Sequence, residues 1–180
     1  MGEQTERTER IERVDERDRV VGVVDRAEAI RRGWLHRIAT VVVRDPAGRI
    51  LVHRRPAEAS RFPGQLNWLA GGAAEVGETY EEAAARELAE ELGVTGARPR
   101  PVLKFLCTGV ISPYWLGLHE TTVAEPIRPD PAEMAWWTWM DEEELDSLTT
   151  GPDFVPDGRE AWARYRDAAL PGQVPQAGLA

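Results

Sequence analysis

The segment GGAAEVGETYEEAAARELAEELGV, residues 71–94, constrains this chain more than any other. Between Glu78 and Glu91 it carries six glutamates and one arginine. Thr79 and Glu82 stand at capping-box spacing, so a helix starts near Thr79, and Gly93 is suited to end it. On that helix Glu87, Glu90 and Glu91 fall at i, i+3 and i+4 and share one narrow face. Leu88 and Leu92 occupy a neighbouring face that can pack on a sheet. Like charges so close oppose each other and raise one another's pKa. A solvated acidic face is one reading. The other is a hard divalent cation that removes the repulsion, and Mg²⁺ suits a site that keeps waters and takes phosphate oxygens as further ligands.

The rest of the composition narrows the choice of partners. With 180 residues, 42% of them hydrophobic and 29% charged, the chain has enough apolar material for one domain with a full core. A net charge of −9 argues against a sequence-independent grip on nucleic acid and against an anionic membrane surface. The single cysteine, Cys107, excludes an internal disulfide and fits a reducing compartment. No apolar run has the length of a membrane span, and MGEQTERTERIERVDERD has no apolar core for a signal peptide. The expectation is a cytoplasmic protein.

Along the chain, residues 1–10 read as disordered, 11–170 as one domain and 171–180 as a flexible tail. VVGVVD reads as a strand, with Asp25 capping a short helix that ends at Gly33. Residues 36–55 read as a β-hairpin around Asp45-Pro46-Ala47-Gly48. VLKFLCTGVI and YWLGLHETTVA form a second strand pair, and MAWWTWM another strand. Asp141 caps the helix EEELDSL, and Asp157 caps GREAWARYRDAAL. Strands and helices interleave without a regular βαβ alternation, so the fold class is α+β with a mixed sheet.

Gly72, Glu78, Arg86, Glu87, Leu88, Glu90, Glu91, Gly93 and Val94 are spaced G-x5-E-x7-R-E-U-x-E-E-x-G-U, with U aliphatic. This resembles the Nudix box of the Nudix hydrolase superfamily at every defined position. Chance agreement in a chain of this size is below roughly one in a million. The resemblance implies a Nudix-type α/β/α sandwich around a mixed β-sheet, and metal-assisted hydrolysis of a diphosphate linked to another group X. It implies Mg²⁺ or Mn²⁺ held by Glu87, Glu90 and Glu91, with the Gly71 carbonyl as a backbone ligand. Arg86 would hold a catalytic glutamate, and Glu78, beside Gly72, would pair with Arg86 to fix the loop on the helix. Glu90 is the first choice for general base, and Glu133, before the tryptophan-rich strand, is a further acidic candidate. The implied partner is a small-molecule diphosphate, with nucleotides ranked first; a homodimer would be unsurprising.

Outside the box, LHRIATVVVRDPAGRILVHRRPAEASRFPGQLNWLAGG resembles the branch related to isopentenyl-diphosphate isomerase, over roughly residues 11–168. That makes the isomerase the rival reading, and a non-catalytic binding domain a third. The stretch LNWLAGGA lacks the isomerase's cysteine and histidine, while the box is complete, and both point to a hydrolase. His36 matches a metal-site histidine of the isomerase but lacks its companion. Arg54 and Arg55 leave a strand on opposite faces, and one of them can reach a diphosphate; Arg55 and Arg37 are the substrate candidates. Among the tryptophans, Trp137 and Trp139 share a strand face opposite Trp136, and at least two of the three belong to the core. Trp68 and Trp115 are the candidates for lining a pocket.

Overall fold

The computed structural model describes residues 9–124 and 126–169. The expectations for residues 1–8 and for the tail lie outside them. Strands β1 (Arg10–Val14) and β2 (Val20–Asp25) pair antiparallel. β1 is an element that its charged sequence conceals: Ile11 and Val14 are buried, while Arg10 is exposed and Glu12 and Arg13 are only partly covered. Helix α1 (Arg26–Arg32) follows as expected. The Asp25 side chain accepts from the Glu28 N–H, and Gly33 closes the helix at φ 64°.

The strands β3 (Arg37–Arg44) and β4 (Ile50–Arg54) flank the expected turn, where the Gly48 N–H donates to the Asp45 carbonyl at 2.9 Å. They do not form an extended hairpin. Cα pairing between them is confined to Arg44 and Ile50, after which each strand finds other neighbours. β3 lies between β6 (Ala70–Ala73), antiparallel, and β8 (Tyr114–Thr122), parallel. β4 pairs antiparallel with β5 (Leu66–Asn67) and with β9 (Trp136–Met140). The turn chemistry is local, but each strand is buried over most of its length and takes whichever edges the whole sheet supplies. β7 (Arg100–Cys107) pairs antiparallel with β8, as expected. One parallel pairing among antiparallel ones makes the sheet mixed.

Helices cover both faces of this sheet. Helix α2 (Tyr80–Leu92) sets Ala83, Ala84, Leu88 and Leu92 against Ala39, Val41, Val43 and Leu51. On the opposite face Val42, Ile50, Val52 and Leu118 pack with Leu145 of α3 (Glu142–Thr149) and with Ala161, Trp162 and Tyr165 of α4 (Pro156–Ala169). The alternation of β3 residues between the two clusters follows from the two-residue period of a strand. This is the expected α/β/α sandwich.

Two local expectations need correction. Asp157 does not cap α4. Pro156 takes the first helical position, where its missing N–H costs nothing, and the Asp157 carboxylate accepts from the Val110 N–H at 3.2 Å and the Tyr114 hydroxyl at 2.8 Å. The tryptophans of β9 are not mainly core residues. Trp136 is 46% and Trp137 38% exposed, and Trp139 packs against the α2-side core with Trp137 edge-on to it.

Candidate active site

The loop before α2 and the helix itself are held together by short-range chemistry. Thr79 and Glu82 complete the capping box: the Glu82 N–H donates to Thr79 Oγ1 at 3.2 Å and the Thr79 N–H to Glu82 Oε2 at 2.9 Å. Gly93 ends the helix at φ 66°. Arg86 binds Glu78 through two hydrogen bonds, Nε to Oε1 at 2.8 Å and Nη2 to Oε2 at 3.1 Å. Glu78 Oε2 also accepts the Glu75 N–H at 2.7 Å, so the loop is tied to itself and to the helix. Burial pushes the Glu78 carboxyl up, but Arg86 and that N–H outweigh it and hold it below the usual range. Arg86 Nη1 reaches on to Glu87 Oε1 at 2.9 Å and to Glu90 Oε2 at 3.2 Å.

Two glycines let the strand approach this helix. At Gly71, φ is 142° and a Cβ would stand 2.2 Å from the Ala39 carbonyl oxygen on β3. At Gly72 a Cβ would stand 2.5 Å from Glu87 Oε1. Side chains at either position would displace β6 or the carboxylate it faces.

Glu87, Glu90, Glu91, Gly71 and Gly72 all line one cleft of about 920 Å³, and Glu133 joins them from the segment before β9. Burial raises the Glu87 carboxyl, against the pull of Arg86. Glu91 is pushed up to about 8 by burial and by the charges of Glu87 and Glu133. Its Oε2 accepts the Gly71 N–H at 3.2 Å. The spacing argument therefore holds in three dimensions: these carboxylates repel one another. Among the described residues no three His, Cys, Asp or Glu side chains close into a metal-binding cluster. The reason is visible: Arg86 draws Glu87 and Glu90, while Glu91 turns to the β6 backbone. The donor set still suits a hard cation, since it offers carboxylate oxygens whose mutual repulsion a divalent charge would remove.

Arginines line the cleft too. Arg55 lines it, with Nε donating to the Arg61 carbonyl at 2.9 Å, whereas Arg54 points away and binds the Gly64 carbonyl at 2.7 Å. Arg61 and Arg26 also line the cleft, although nothing in the sequence singled them out, and Arg26 is paired there with Glu9, its Nη1 donating to the two carboxylate oxygens at 2.9 and 2.8 Å. They arrive from a loop and from the first residue of α1, elements with no motif to mark them. Burial and the charge of Arg26 push the Arg61 guanidinium down. His36 just before β3, Ile38 and Thr40 of β3, His53 of β4, and Tyr114 and Leu116 of β8 also line the cleft.

Two substrate candidates are not in this cleft. Arg37 is committed elsewhere: its Nε donates to Asp18 Oδ1 at 2.7 Å and its Nη1 to Glu12 Oε2 at 3.0 Å. It fastens β3 to the β1–β2 hairpin, because two carboxylates there outcompete any distant phosphate. Trp68 is 1% exposed, its Nε1 donates to the Gly158 carbonyl at 2.9 Å, and it packs edge-on to Trp162 at 4.9 Å. Trp115 likewise binds the Asp15 carbonyl through Nε1 at 3.2 Å. Both indoles are structural. Cys107 is fully buried with Sγ toward Glu160, outside the cleft lining.

Comparison with known proteins completes the picture. The NUDIX domain model matches residues 34–162. A protein of Streptomyces coelicolor named as a Nudix hydrolase is 42% identical over 164 residues, covering 88% of this chain and 91% of its own. A Nocardia farcinica protein named isopentenyl-diphosphate Delta-isomerase is 39% identical over 138 residues, 72% of this chain and 78% of its own. A crystal structure from Deinococcus radiodurans superposes with a TM-score of 0.74 at 29% identity, covering 87% of this chain and 98% of that one. With the domain matched over most of its length and the box assembled around one cleft, the chain belongs to the Nudix hydrolase family.

Proposed function

We propose that this protein is a metal-dependent hydrolase that cleaves the diphosphate linkage between a nucleoside, or a related organic group, and a second moiety X. The observation that carries the reading is that one cleft is lined by both kinds of charge such a reaction needs. Glu87, Glu90, Glu91 and Glu133 line it together with Arg55 and Arg61. Glu87, Glu90 and Glu91, with the Gly71 carbonyl, would hold Mg²⁺ or Mn²⁺. When bound, such a cation neutralises diphosphate oxygens and lowers the pKa of a water. Arg86 keeps Glu87 and Glu90 in register, as the partners of metal ligands must. Glu90, exposed and held by one arginine N–H, is the first choice to take the proton of the attacking water, with Glu133 second. Arg55 and Arg61 would hold the phosphate oxygens, for which planar guanidinium groups are suited.

The isomerase is the second reading, favoured by the Nocardia farcinica relative. Against it, no cysteine lines the cleft, and Cys107 is buried with its thiol pushed up to about 11 by desolvation. Such a thiol is a poor acid–base group near neutral pH. The deciding experiment is phosphate release from a library of nucleotides, nucleotide sugars and isoprenoid diphosphates, with Mg²⁺ or Mn²⁺ and with chelator as control. Metal-dependent release from one class is expected. Silence across the library, with isopentenyl diphosphate converted to its allylic isomer, would establish the isomerase instead.

A further inference from the structure

The loop 56–64, between β4 and β5, carries one strained residue that is held from both sides. Phe62 has a φ of 48°, in the left-handed region that a phenylalanine rarely enters. It also precedes Pro63, whose ring favours extended backbone in the residue before it. Beyond Phe62 the chain turns: the Gln65 N–H donates to the Phe62 carbonyl at 3.3 Å, and Gly64 takes a φ of 69°. The Gly64 N–H donates to the Pro56 carbonyl at 3.1 Å, and Arg54 Nη1 to the Gly64 carbonyl at 2.7 Å. Ahead of Phe62, Arg55 Nε donates to the Arg61 carbonyl at 2.9 Å. Phe62 is thus kept in its conformation by its neighbours, as strained residues must be to persist.

Arg61, the residue just before it, is placed by this geometry, and both line the cleft. Among the described residues the Arg61 side chain donates no hydrogen bond and joins no ion pair, whereas Arg26 beside it is taken by Glu9. Burial and the charges of Arg26 and Arg55 disfavour its positive charge, yet its nitrogens stay open to solvent. A half-covered, unpaired guanidinium gains more from an incoming anion than a fully solvated one does. We infer that Phe62 is a positioning residue. Its left-handed backbone, and not its ring, sets Arg61 toward the cleft and leaves it free for a substrate phosphate. The inference rests on the hydrolase reading for what occupies the cleft, and it adds the backbone of Phe62 to the parts that hold it.

The probe is methylenediphosphonate with Mg²⁺, a diphosphate mimic whose P–C–P bridge water does not cleave, titrated into the full chain by calorimetry. Phe62→Ile puts a β-branched residue where φ must be positive, so the loop should shift and binding weaken about tenfold, the worth of one charge-assisted hydrogen bond. Phe62→Asn removes the ring but tolerates the left-handed conformation, and should recover most of the affinity that Phe62→Ile loses. Arg61→Gln should weaken binding to a similar degree. Adding Phe62→Ile to it should cost nothing further, because the two act through one contact. Phe62→Val, also β-branched, takes the place of Phe62→Ile if that variant does not fold. Equal losses for the Asn and Ile variants would mean that the ring itself matters, and additive losses in the double variant would mean that the loop acts without Arg61. Either result would overturn the inference and leave the hydrolase reading intact. Absence of any binding by wild type would instead remove the hydrolase reading, and this inference with it.

Discussion

Arg86 and Glu78, eight residues apart, are joined by paired hydrogen bonds of 2.8 and 3.1 Å across the junction of loop and helix. Both side chains are mostly covered, so the pair is not the solvated kind whose worth is near zero. Arg86 carries the connection onward to Glu87, Glu90 and the Ala73 carbonyl. Arg86→Ala should therefore cost about 2–4 kcal/mol of stability, because it leaves Glu78 and Glu87 partly buried without a cation. Chemical denaturation measures this. A loss of a few tenths of a kcal/mol would mean that solvent already screens the cluster.

Glu91 links acidity to stability. Its folded pKa of about 8 lies above the ordinary 4.5, so the folded metal-free protein holds a proton that the unfolded chain releases. Stability from this group is complete below pH 4.5 and is lost as pH rises toward 8. In chelator, wild type should lose on the order of 2–4 kcal/mol between those limits relative to Glu91→Gln. Denaturation midpoints of both proteins across the range test it, and parallel pH profiles would refute it. With Mg²⁺ present the difference should shrink, since the cation takes over the charge.

The same variant separates fold from activity. Glu91→Gln should abolish most of the metal-dependent turnover while retaining the native circular dichroism spectrum, because the amide preserves the shape of the side chain but loses its charge. An unchanged kcat would show that the carboxylate face is not the catalytic centre.

Gly72→Ala probes the approach of β6 to α2. The added Cβ would stand 2.5 Å from Glu87 Oε1, and the carboxylate is the softer partner, so it should swing away. The expected result is a fall in kcat or metal affinity of about 10–100-fold with a small change in Tm. Wild-type kinetics in this variant would mean that Glu87 has freedom to spare.

At the acid end the buried histidines act in the other direction. Desolvation lowers the pKa of His36 and His119, and that of His53 to about 4, from 6.5. The unfolded chain takes up protons first, so stability is full above pH 6.5 and declines as pH falls toward 4. His53→Phe should blunt the decline, as read from Tm against pH.

Much of the candidate site was legible because it is local. Glu87, Glu90 and Glu91 fall on one helix face by the pitch of the helix, and Thr79, Glu82 and Gly93 bound that helix through contacts of three or four residues. The family motif extends this to Arg86 and Glu78, whose pairing the structure confirms. Trp68 and Arg37 read as substrate candidates because sequence shows residue type and proximity to a motif, and not which neighbours compete for a side chain. The Gly158 carbonyl claims the indole, and Asp18 with Glu12 claims the guanidinium.

The helix, its caps, the charge pattern and the family are written in short spacings along the chain, or in a motif that spans a few turns. The remainder came from the assembled fold. It parted β3 from β4 after one pairing, brought Arg26, Arg55 and Arg61 into one cleft, and buried His36 and His53 beside it. These relations join residues far apart in sequence, and they follow from how a sheet buried on both faces shares its edges, which no local period encodes.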